Sequence, residues 1–111
     1  MDKAGLLIIE DDEFVAGQMK WALTENYEVY LAEDRLSGLE ILKKKRPSIV
    51  TLDLGLPPSA DNTSEGFQTL VDLLHIDPLL KVIVITGQDD RENALSAVGR
   101  GAHDFFCKPV A

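Results

Sequence analysis

Short, largely apolar runs alternate along this chain with segments whose apolar residues repeat at helical spacing. The runs are residues 6–9 (LLII), 29–31 (VYL), 49–52 (IVTL), 82–85 (VIVI) and 105–107 (FFC). Apolar at successive rather than alternate positions, they suit strands buried on both faces. Between them, Phe14, Val15, Met19, Ala22 and Leu23 mark one helix, and Leu36, Leu39, Ile41 and Leu42 a second. Phe67, Leu70, Val71 and Leu74 mark a third, and Ala94, Leu95, Ala97 and Val98 a fourth, which Gly101 can end in the left-handed conformation. Strands that alternate with helices of this length pair in parallel through right-handed crossovers. The expected fold is therefore α/β, a five-stranded parallel sheet covered on both faces, with residues 1–111 forming a single domain.

Composition narrows the function. The longest apolar stretches, such as residues 6–9, are four residues long, too short for a membrane span or a signal-peptide core, so a cytoplasmic protein without membrane contact is expected. A formal net charge of −8 repels phosphate backbones, which argues against direct nucleic-acid binding and favours cations or basic partner surfaces. Cys107 is alone and has no intramolecular disulfide partner. His75 and His103 lack metal-ligand spacing and read as surface histidines; Trp21 falls off its helix's apolar stripe and reads as surface packing, with a partner contact as the alternative.

In open parallel sheets, ligands gather beyond the carboxyl ends of the strands. Glu10 and Asp11 follow the first run, Asp53 closes the third, Thr86 follows the fourth and Lys108 the fifth. Singly, each has an ordinary reading: acids that favour a helix start, a strand-end hydroxyl, a solvated lysine. Gathered on one rim, they call for another explanation. Close carboxylates repel by about 4 kcal/mol per pair at an effective dielectric near 20, unless a cation sits among them. Mg²⁺ suits such a set, since it takes oxygen ligands, keeps several waters and needs few carboxylates. With Lys108 and Thr86 to contact phosphoryl oxygens, Asp53 becomes the natural phosphoryl acceptor.

These motifs, LLIIEDDE, TLDLGLP, VIVITG and GAHDFFCKP, resemble the receiver domain of bacterial two-component response regulators, nearly end to end. The resemblance implies a doubly wound, flavodoxin-like sheet of order 2-1-3-4-5. It implies that Asp53 takes a phosphoryl group from a sensor histidine kinase, and that Asp11 binds Mg²⁺ directly, Glu10 through water and Gly55 through its carbonyl. It also implies that Thr86 and Lys108 contact the phosphoryl group, that Phe105 moves inward as the switch aromatic, and that a cis peptide precedes Pro109. Such a chain is a signalling phosphoacceptor whose only chemistry is its own Mg²⁺-dependent phosphorylation and dephosphorylation.

The wording TLDLGLPP and TGQDDRENAL is similar to σ54-activating, NtrC-like regulators associated with PEP-CTERM and exopolysaccharide gene sets, although no GxxxxGK phosphate loop or basic reading helix is present here. The segment PPSADNTSEG, residues 57–66, is longer than the family's usual loop, and Thr63 or Ser64 could cap the third helix. The sequence stops just after Lys108 and Pro109, where the family continues into a fifth helix. The chain thus reads as truncated, with apolar sheet surface exposed and, unless further residues cover it, a homodimer through that surface or lost stability expected. Two other readings compete. An aspartyl-phosphate phosphatase wants an acid two residues after its nucleophile, where this chain has Gly55; a pseudo-receiver that only docks would not need the acids, hydroxyl and lysine intact.

Overall fold

The computed structural model describes residues 3–56, 64–87 and 91–108. Its elements run β1 (Ala4–Ile9), α1 (Glu13–Leu23), β2 (Tyr27–Ala32), α2 (Arg35–Lys45), β3 (Ile49–Asp53), α3 (Ser64–Ile76), β4 (Lys81–Thr86), α4 (Arg91–Gly99) and β5 (Asp104–Cys107). All strand pairs are parallel, and the sheet order is β2-β1-β3-β4-β5. The chain winds from β1 out to β2, then returns past β1 to build β3, β4 and β5. That reversal opens a crevice between the carboxyl ends of β1 and β3. The central strands carry the core, with Leu7, Ile9, Val50, Leu52, Val82 and Val84 all buried. Each strand contains the apolar run read from the sequence, extended by a residue or two in most cases.

The helices are where expected, and Leu42, Leu70, Ala94 and Ala97 of the expected stripes are buried while Leu39, Ile41, Phe67 and Leu74 pack against the core, but other members of those stripes face outward. Phe14 in α1 is 73% exposed, and Ala22 is exposed too; Leu36 in α2, Val71 in α3 and Leu95 and Val98 in α4 also face outward. The buried helix residues are mainly small, namely Ala16, Gly38, Gly66, Ala94 and Ala97, joined by Leu42, Thr69, Leu70 and Leu73. Small residues let a helix backbone approach the sheet closely, so a pattern weighted toward bulky side chains overlooks Ala16, Gly38 and Gly66 and widens the stripe at its edges. Trp21 is almost fully exposed, and His75 and His103 are surface residues as expected.

Gly101 ends the α4 turn at φ 116°, and Ala102 N–H donates to the Ala97 carbonyl at 3.0 Å, which closes the helix as anticipated. Beside α1, an apolar groove of about 200 Å³ runs over the sheet past Met19, Leu23, Ile49, Ile83, Ile85 and Phe106, and Phe106 is half exposed. Ser64 is the first residue of α3. Pro57, Pro58, Thr63 and the peptide before Pro109 lie outside the described residues.

Candidate functional site

Strand register assembles the site. Ile9 pairs with Leu52, so Glu10 and Asp53 emerge side by side at the β1 and β3 ends. Asp53 pairs with Ile85, the residue before Thr86, and Thr86 pairs with Cys107, the residue before Lys108. Lys108 N–H donates to the Thr86 carbonyl at 2.7 Å, holding the chain beside β4 for one residue beyond β5.

The acid block beyond β1 divides its work. Asp12 is the N-cap of α1: its Oδ1 accepts from Phe14 N–H at 2.9 Å and Val15 N–H at 3.2 Å, and Glu13 occupies the first turn. For these two, the helix-start reading is right. Glu10 instead turns inward and is 4% exposed, while Asp11 stays at the surface. One oxygen each from Glu10, Asp11 and Asp53 lie within 4.8 Å of one another.

Lys108 Nζ reaches into this cluster, 3.0 Å from Glu10 Oε1 and 3.4 Å from Asp53 Oδ2. Asp53 Oδ1 accepts from Gly55 N–H at 3.0 Å, and Glu10 Oε2 accepts from Asp12 N–H at 3.2 Å. Burial pushes the Glu10 carboxyl up to about 7, and the hydrogen bond and negative charge of Asp53 add to the rise against the opposing pull of Asp12 N–H and Lys108. Burial pulls the Lys108 ammonium down, but Glu10 and Asp53 outweigh it, and its affinity for the proton ends above the ordinary lysine value.

A hard cation fits this donor set. Every side-chain ligand is a carboxylate oxygen, and Glu10 Oε1 is buried without a well-aligned hydrogen bond, its contact with Lys108 being an ion pair only. The cost of that arrangement falls when a positive ion joins the cluster.

Thr86 is 2% exposed, and its hydroxyl donates to the Gly87 carbonyl at 3.0 Å. Phe105 is half-buried against the core, and the Arg91 guanidinium carbon lies 5.8 Å from its ring centroid. The structure thus brings Glu10, Asp11, Asp53, Gly55 and Lys108 into one constellation, with Thr86 and Phe105 on the adjoining strands. Sequence reasoning gave the acids after β1 a helix-start role through their charge alone and missed that Asp12 acts as a side-chain cap, for which an aspartate directly before the helical segment is the usual signal. It also missed Arg91 over Phe105, for which spacing gives no signal.

Residues 6–111 match the family described as response regulator receiver domain. Protein CcdB of Bacillus subtilis is 30% identical over 106 residues, which are 94% of this chain and 84% of that protein. Nitrogen assimilation regulatory protein NtrX of Azorhizobium caulinodans is 30% identical over 105 residues, 94% of this chain but 22% of that protein. Among solved structures, NtrX from Brucella abortus in complex with ADP superposes with a TM-score of 0.90 at 31% identity, covering 98% of this chain and 24% of that one. A response regulator from Burkholderia pseudomallei, solved with a phosphorylated aspartic acid, calcium ion and citrate, gives a TM-score of 0.84 at 25% identity, covering 98% of this chain and 62% of that one. The chain spans less than half the length of several regulators it matches.

Proposed function

Since this chain belongs to the response regulator receiver domain family, we propose that Asp53 accepts a phosphoryl group from the phosphohistidine of a sensor histidine kinase and that the acyl phosphate reshapes the surface around Phe105. The observation that carries this reading is the position of the Asp53 carboxylate, which shares the Lys108 ammonium with Glu10 and has an oxygen of Glu10 and one of Asp11 within 4.8 Å. A carboxylate so placed has an ammonium and a cation-binding pair of acids within reach, which is what a negatively charged phosphoryl donor needs in order to approach it.

An Asp53 oxygen forms the bond to phosphorus as the phosphorus–nitrogen bond of the donor breaks, and the departing imidazole takes up a proton. Lys108, already within reach of Asp53 Oδ2, exchanges part of its pairing with Glu10 for a phosphoryl oxygen. Gly55 N–H steadies the carboxylate through Oδ1. Thr86 turns its hydroxyl from the Gly87 carbonyl toward a phosphoryl oxygen, and the space it leaves admits the Phe105 ring. Asp11, Asp53 and the Gly55 carbonyl, with Glu10 through water, would hold Mg²⁺, which when bound would supply charge neutralisation on the transferring group. That the Burkholderia pseudomallei structure of the same fold carries a phosphorylated aspartic acid and a calcium ion supports an aspartyl phosphate and a divalent cation here.

The switched face then serves a longer cytoplasmic regulator with a transcriptional output, of the NtrC-like kind associated with exopolysaccharide gene sets, and offers a surface for a homodimer. The chain's own chemistry is limited to gaining and losing this phosphoryl group. Incubation with phosphoramidate and Mg²⁺ tests the reading: intact mass rises by one phosphoryl group, and chelation or Asp11→Asn abolishes most of the gain. Labelling that is indifferent to both would overturn it.

A further inference from the structure

Gly66, in the first turn of α3, lies against the backbone of Leu54, the residue between Asp53 and Gly55. A Cβ at position 66 would come within 2.7 Å of the Leu54 carbonyl carbon and closer still to its oxygen and Cα, where ordinary contact begins at 3.4 Å. The obstructing atoms are backbone and cannot swing aside. At Gly38, by contrast, the nearest atom is the tip of a flexible side chain, Ile9 Cδ1 at 2.6 Å. The Leu54 segment is also held from the opposite side, because Leu54 N–H donates to the Ile85 carbonyl at 3.1 Å, and Gly55 N–H is tied to Asp53 Oδ1. The segment is therefore clamped between β4 and the start of α3. The α3 side is itself fixed to α2 by Arg35, which pairs with Glu65 at 2.8 Å and Asp72 at 3.1 Å.

Building on the function proposed above, we propose that Gly66 is a positioning residue for the cation and phosphoryl site: its missing side chain lets α3 seat the Leu54–Gly55 peptide, and that seat fixes the Gly55 carbonyl and the Asp53 carboxylate relative to Glu10 and Asp11. An alanine there must either lift the start of α3 or push residues 53–55 toward the rim. A displacement on the order of 1 Å at a reacting group is enough to cost about a hundredfold in rate. The first turn of α3 thereby acts on the chemistry through the backbone of residues 54 and 55.

The test compares the parent chain, Gly66→Ala and Leu73→Ala, the last removing a fully buried side chain lower on the same helix. Thermal midpoint, Mg²⁺ affinity followed at the Gly55 amide resonance, and phosphoramidate labelling rate are measured on each. Gly66→Ala should weaken Mg²⁺ binding and slow labelling by about tenfold to a hundredfold, while Leu73→Ala stays within about twofold of the parent despite an equal or larger loss of thermal stability. If the two variants fall on one line relating activity to stability, or if Gly66→Ala labels like the parent, the inference is wrong. A parent chain that neither binds Mg²⁺ nor becomes labelled would instead overturn the functional reading. Should Gly66→Ala not fold, Arg35→Ala carries the test: freeing the first turn of α3 should shift the Gly55 amide and weaken Mg²⁺ binding several-fold, and no change in either would sink the proposal.

Discussion

Replacing Glu10 with glutamine removes a buried charge while keeping the side chain's shape, and its effect on stability should depend on pH in a defined direction. In the folded chain the Glu10 carboxyl keeps its proton up to about pH 7, because burial and the neighbouring Asp53 disfavour its ionised form; its ordinary value is 4.5. Between those values the folded state holds a proton that the unfolded state has released, so the parent's stability falls as pH rises through the window. The gap, at about 1.4 kcal/mol for each tenfold in proton affinity, amounts to about 3 kcal/mol, fully felt above pH 7 and absent below pH 4.5. Lys108 does not itself titrate in this window, since its proton affinity in the parent lies above the ordinary lysine value of 10.5. Urea unfolding of both proteins in chelator from pH 4.5 to 8 should show Glu10→Gln overtaking the parent by about 3 kcal/mol across the range. Mg²⁺ at pH 8 should recover stability in the parent more than in the variant. Parallel curves would refute the claim that Glu10 is ionised at a cost in this cluster.

Asp34 caps α2, its Oδ1 accepting from Ser37 N–H at 2.9 Å, and the bonds from Ser37 hold its carboxyl below the usual range; Asp34→Ala should cost about 1 kcal/mol in urea unfolding and leave labelling unchanged. Asp12→Ala should lose a similar amount through the start of α1 while Asp12→Asn, which preserves the acceptor, loses little, again by urea unfolding. Thr86→Ala should still take up phosphate, yet beryllofluoride should no longer perturb the resonances around Phe105; equal perturbation in both proteins would separate the hydroxyl from the switch.

The strands and the site were legible because both rest on local rules. A β-branched run in an α/β chain is a buried strand, and the residue at or just past its carboxyl end lies on the ligand-binding rim, so Glu10, Asp53, Thr86 and Lys108 could be placed together from the sequence. The helix faces were less legible. Phe14 and Leu36 attract a pattern based on hydrophobicity, yet the sheet is approached through Ala16 and Gly38, since closeness of packing favours absence of bulk. Gly66 was invisible for the same reason, because its contribution is a side chain that is missing, and only the proximity of Leu54 reveals it. The direction of the Thr86 hydroxyl, toward the Gly87 carbonyl, depends on rotamer choice and could not be read from a threonine at a strand end.

The central claim is that Asp53 is the residue that becomes phosphorylated. After labelling with phosphoramidate and Mg²⁺, borohydride reduction converts an aspartyl phosphate to homoserine, and peptide mass mapping then reports its position. Homoserine at position 53, and no labelling of Asp53→Asn, is the predicted result. A modification mapped to Asp11 or Asp12, or equal labelling of Asp53→Asn, would contradict the account.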